Sequence, residues 1–121
     1  MHKRTITYPG YDGTMYTEDF YFNISRAEVV DMQMSIAGGY EEKIRKISAA
    51  KDEVELYKLF REFIKNSYGV KSDDGKRFIK SPELTEAFMQ SEAYSELLME
   101  LCSNDTNGAD FINAVLPNGT N

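Results

Sequence analysis

A chain of 121 residues, 41% apolar and 12% aromatic, is sized for one domain that removes roughly two-thirds of its unfolded surface from water. Its 20 acidic side chains against 14 basic ones give a formal charge of −6, which repels phosphate backbones, so no nucleic-acid partner is expected. A single cysteine excludes an intramolecular disulfide, and no apolar run approaches the roughly 20 residues of a membrane span, so the expected setting is a reducing cytoplasm with no membrane partner.

The N-terminal Met1-His2-Lys3-Arg4-Thr5 is basic but lacks the apolar segment of a signal peptide, and His2 is expected at a frayed end. Thr5-Ile6-Thr7-Tyr8 alternates β-branched and aromatic residues as a strand does. Pro9-Gly10-Tyr11-Asp12-Gly13 is turn chemistry, because Pro sets φ and glycine admits positive φ. Residues 15–24 resume as a second strand. Phe20, Phe22 and Ile24 share one face, and Asp19, Tyr21 and Asn23 the other. A lone hairpin is marginal in water, so the Phe face must pack on helices or on another chain.

Ser25 and Glu28 form a capping box, in which each side chain serves the other's backbone amide. The helix they start carries Val29, Val30, Met32 and Met34 and stops at Gly38-Gly39. Tyr40, Ile44 and Ile47 then recur on one helical face. Asp52 is spaced to cap a third helix with Glu55 as its box partner. Its stripe of Leu56, Tyr57, Leu59, Phe60, Phe63, Ile64 and Tyr68 makes it the expected spine of the core, with Gly69 as a left-handed stop. Residues 70–80 read as a polar connection around Asp73-Asp74-Gly75, where a short type I′ hairpin is open to the chain. Ser81-Pro82-Glu83 starts the next helix, with Leu84, Ala87 and Phe88 facing inward. Tyr94, Leu97, Leu98 and Leu101 continue the pattern, with or without a break near Ser91-Glu92. A last helix spans Asp110 to Leu116 and ends at Pro117. The fold class expected is α+β: a hairpin over about residues 4–24, then about five to six mostly short helices, in one domain over 1–117 with a disordered tail at 118–121.

No catalytic, cofactor-binding or metal-binding residue is expected. Placing Gly75 at the glycine of an EF-hand puts Val70 and Ser81 where the pattern requires Asp and Glu. The paired carboxylates Glu18-Asp19, Glu41-Glu42 and Asp52-Glu53 mostly sit at helix starts, where caps and the helix dipole account for them. Cys102 has no nearby histidine to activate it. What remains are candidate contact residues. Tyr11, Tyr16 and Tyr21 crowd the hairpin, and exposed tyrosines favour interfaces. Lys76 and Arg77, with Lys71 and Lys80, form the one basic cluster. Phe111, Ile112, Val115 and Leu116 lie on a terminal helix that either caps the core or docks on a partner.

Several strings carry a resemblance. Thr17-Glu18-Asp19-Phe20-Tyr21-Phe22-Asn23-Ile24-Ser25, Ala27-Glu28 and the Met-rich helix before Gly38-Gly39 resemble the start of a phage tail assembly chaperone of the type found in siphophages and prophages of Gram-positive bacteria. Ser72-Asp73-Asp74-Gly75-Lys76-Arg77-Phe78, Ser81-Pro82-Glu83-Leu84, Ala93-Tyr94-Ser95-Glu96-Leu97 and Ala109-Asp110-Phe111-Ile112-Asn113 are similar to later parts of that family, so the resemblance spans about residues 5–117. It implies a non-catalytic protein of the infected cell's cytoplasm, absent from the finished virion. Its partners would be the tape measure protein and the tail tube protein, with self-association possible. Many members exist in a short and a frameshift-extended form, and this chain resembles the short one. Two alternatives stay open: a structural tail or head completion component of the particle, and a phage-encoded enzyme or inhibitor acting on the host, for which the sequence shows no cleft of perturbed titratable groups.

Overall fold

The computed structural model describes residues 1–35, 39–104 and 106–117. Strands β1 (His2–Pro9) and β2 (Met15–Phe22) form the N-terminal hairpin. Helices α1 (Arg26–Ser35), α2 (Gly39–Ala50) and α3 (Glu53–Ser67) follow, then strands β3 (Tyr68–Lys71) and β4 (Phe78–Ile79). Helices α4 (Pro82–Met89), α5 (Glu92–Leu101) and α6 (Asn107–Val115) complete the chain. The class is α+β as the sequence predicts, with one addition. The second hairpin joins the first in a four-stranded antiparallel sheet of order β1-β2-β3-β4.

Register sets the two faces of the sheet. Thr5 pairs with Asp19 and Thr7 with Thr17, and these exposed residues hydrogen-bond across the strands at 2.6 and 2.8 Å. Ile6, Tyr8, Phe20 and Phe22 alternate onto the opposite face, where the helices lie. Phe22 and Ile24 are fully buried, so the inward assignment of that face holds, although β2 itself ends at Phe22. His2 is not frayed: it sits in β1 with its ring edge-on to Phe111 at 5.7 Å. Helix α5 crosses β1, α6 packs on α3 and α5, and α4 packs on β3 and α5. One core joins them through Leu59, Phe63, Ile64, Phe88, Leu97, Leu101, Phe111, Ile112 and Val115.

The local signals act largely as read. Ser25 and Glu28 make both capping-box bonds, at 3.1 and 2.8 Å. Asp52 accepts from the Glu55 amide at 3.2 Å, and Ser81 caps α4 with Pro82 in its first turn. The chain breaks between α4 and α5, with Ser91 in extended conformation before Glu92.

Five expectations need correction. Gly69 is no left-handed stop: α3 passes straight into β3 at Tyr68, whose φ of −69° and ψ of 140° are already extended. Glycine is required there for space, because a Cβ would lie 2.5 Å from the Ile79 carbonyl oxygen and 2.6 Å from the Phe78 ring. Tyr68 therefore leaves the helical stripe and stacks on Phe88 from the sheet, 4.5 Å between ring centres. The Asp73-Asp74-Gly75 segment is no type I′ turn, since only Gly75 there has positive φ, at 75°. It is a longer loop closed by the Ser72 amide on the Arg77 carbonyl at 2.8 Å. Ala87 is exposed, because Phe88, about 100° further round α4, takes the inward side of its second turn. Finally, α6 starts at Asn107. Asn104 Oδ1 accepts from the Thr106 and Asn107 amides at 2.9 and 2.8 Å, which begins the helix before Asp110. The expected stop at Gly38-Gly39 is described only in part: Gly39 has a φ of 85° at the start of α2, while Gly38, the Tyr40 side chain and the 118–121 tail lie outside the described residues.

Candidate partner-binding surfaces

The hairpin tyrosines do not form one patch. Tyr11 is 81% exposed at the tip, and its hydroxyl donates to Glu92 Oε1 at 2.8 Å, which pins the tip to the start of α5. Tyr16 is half-buried, stacks beside Tyr8 at 5.8 Å and donates to Asp12 Oδ2 at 2.5 Å. That bond raises the Tyr16 hydroxyl above its usual range and holds the Asp12 carboxyl below its own. Tyr8 donates to Glu18, and this bond pushes its hydroxyl up to about 12. Tyr21 stands five positions beyond Tyr16 on the same strand, and an odd separation puts it on the opposite face.

The basic cluster divides as well. Lys71, Lys76 and Arg77 are exposed around the β3–β4 loop. Asp74 shapes that loop by accepting from Ser72 Oγ at 2.7 Å and the Lys76 amide at 2.9 Å, and these bonds hold its carboxyl below the usual range. Lys80 points the other way. Its Nζ donates to both Glu28 oxygens at 3.0 and 2.8 Å and to the Asn66 carbonyl at 2.7 Å. Burial pulls the Glu28 carboxyl up, but the Lys80 bonds and the Ser25 amide outweigh it, and the carboxyl sits below its ordinary value.

Helix α6 caps the core. Phe111, Ile112 and Val115 are 2–3% exposed, and Phe111 packs edge-on to Phe22 at 5.2 Å and Phe63 at 6.0 Å. Their side chains are taken up by the fold. Leu116 is half-buried at the helix end. Gly108 completes the seat: a Cβ there would meet the Phe60 ring at 2.1 Å.

One surface was not anticipated. An open groove of about 930 Å³ runs between α1 and α4, floored by Ile24 and the end of α3. Met32 and Met89 line it from opposite walls. The signal was present in the Met content of α1, but that helix has apolar residues all round: Val29 and Met32 turn toward the core, while Val30 and Met34 are exposed. No single face could be singled out from spacing alone.

Among the described residues no three His, Cys, Asp or Glu side chains group as metal ligands, and no helix is long and apolar enough to cross a membrane. Cys102 is exposed, and desolvation pushes its thiol up, away from the reactive thiolate. The His2 ring is held below its ordinary value by burial and then by Arg4.

No curated protein and no solved structure matches the chain. A family model described as phage tail assembly chaperone matches residues 1–120, which includes every position from the first strand through the last helix. The chain therefore belongs to the phage tail assembly chaperone family and has a role in tail assembly.

Proposed function

We propose that the chain binds the tape measure protein in the cytoplasm of the infected cell, keeps its apolar helical segments soluble, and brings it to tail tube subunits without catalysing a reaction. The observation that carries this reading is the family match across residues 1–120. The chemistry of the chain is compatible with it: a charge of −6 favours solubility, and contact elements replace a reaction centre. In this reading the whole of residues 1–117 acts as one domain. Tyr11, Lys76 and Arg77 are the exposed members of the sequence-derived contact set, and Tyr21 adds the open face of the sheet.

Co-expression with the tape measure protein of the same phage tests the proposal. The expected result is a larger soluble fraction of tape measure protein and a complex that survives purification. An unchanged soluble fraction with no complex defeats it. Recovery of the chain in purified particles would instead make it a tail or head completion component.

A further inference from the structure

We infer that the groove between α1 and α4 is a docking site for an amphipathic helix whose apolar stripe is flanked by basic residues. The inference rests on the chaperone reading for the biological source of that helix, but the groove and its chemistry stand independently.

Three observations point to this occupant. The first is size and shape. One turn of an α-helix with its side chains fills roughly 400–600 Å³ from its diameter and pitch, so a groove of about 930 Å³ takes about two turns. A groove between two helices, open to solvent, is the geometry that receives a helix at i, i+3, i+4 and i+7.

The second is the lining. Ile24, Pro82, Met32 and Met89 supply the apolar surface. Unbranched thioethers on both walls repack around different side chains, which suits a site that must take sequences of varied shape.

The third is charge. Lys80 is occupied by Glu28 at 2.8 Å, and Lys65 lies 3.9 Å from Glu62. Asp31 on the α1 wall and Glu86 on the α4 wall have no cationic partner among the described residues, and Glu86 accepts only from Gln90 Nε2 at 3.3 Å. The rim thus carries a carboxylate without a cationic partner on each wall, above Ile24 and the Lys65–Asn66 end of α3. A second copy of this chain, with its charge of −6, is a poor fit to such a rim, and a basic-flanked helix is a good one.

The α1 wall can also adjust. The described side chains of α1 and α2 are all outside the fully buried core, so this helix pair rests on the body through half-buried contacts and the Glu28–Lys80 pair. Such an element yields to a guest at low cost.

The experiment uses the full chain and two fluorescein-labelled peptides of 18 residues, one a Leu/Lys amphipathic helix and the other its Leu/Glu counterpart. Binding is followed by fluorescence anisotropy and by amide chemical-shift mapping. The expected result is that the Leu/Lys peptide binds and shifts α1 and α4 amides. D31K/E86K should weaken it by roughly tenfold and gain affinity for the Leu/Glu peptide. Both positions are exposed, and circular dichroism checks that the variant folds. The inference is overturned if the Leu/Lys peptide does not bind, if the shifts fall on the sheet or the β3–β4 loop, or if the variant treats both peptides as the wild type does. Co-expression separates the two levels. A variant that still solubilises tape measure protein as the wild type does removes the groove and leaves the chaperone reading in place. Failure of the wild type removes the chaperone reading, and the peptide data alone then decide the groove.

Discussion

At the scale of single residues, Glu28 joins three parts of the molecule through one carboxylate. It accepts from the Ser25 amide at the start of α1 and from Lys80, which in turn donates to the last turns of α3. The pH dependence has a definite sign. The folded carboxyl lies below its ordinary value of 4.5, so its stabilisation is complete above that value and is lost as pH falls through the lower folded one. The Glu28 side chain is 40% exposed, so solvent screens the ion pair and keeps the net gain from the Lys80 and Ser25 bonds modest. We expect Glu28→Ala, which removes both the capping acceptor and the charge, to lower stability by about 1 kcal/mol near pH 7, and the difference from wild type to shrink as pH falls below 4.5. Urea unfolding across that range checks it, and an equal difference at both ends would refute the linkage. Gly69 shows the limit of residue-level reading. Local rules make it a left-handed helix stop, but what requires glycine is the Ile79 carbonyl across the sheet, a neighbour ten residues away that no local rule contains.

At the scale of elements, the caps and the strand alternation were legible because their causes lie within four residues. The Ser25 box, the Asp52 and Ser81 caps and the Phe20/Phe22/Ile24 face all follow from such spacing. Helix α6 was legible as a helix but not as core or contact, since an apolar stripe is the same object in both roles. Packing against Phe22 and Phe63 decides for the core. Removing a buried phenyl ring costs roughly 3–5 kcal/mol, a large share of the roughly 5–15 kcal/mol available to a domain. Phe111→Ala is therefore expected to unfold in much less urea than the wild type. Phe111→Leu should lose less and remain folded. A Phe111→Leu protein of wild-type stability that had lost its partner would return α6 to the contact surface.

At the scale of the whole molecule, stability is unevenly distributed. The sheet and α3 to α6 share the buried cluster, while α1 and α2 contribute only partly buried residues such as Val29, Met32, Ile44 and Ile47. Hydrogen exchange should therefore show α1 and α2 amides exchanging at least about tenfold faster than those of α3 and α5. Equal protection throughout would mean that α1 and α2 belong to the same cooperative unit as the rest.

The sequence by itself determined the class, the first hairpin and the helices, the caps and the family, because these depend on spacing along the chain and on strings of residues. Tertiary structure alone decided the rest. The β3–β4 hairpin joined the N-terminal sheet because Tyr21 and Phe22 pair with Gly69 and Tyr68, some 46–48 positions apart in sequence. Lys80 left the basic cluster for Glu28, 52 positions away. The groove between α1 and α4 is a space between elements, and its walls are brought together only when the chain closes around its core.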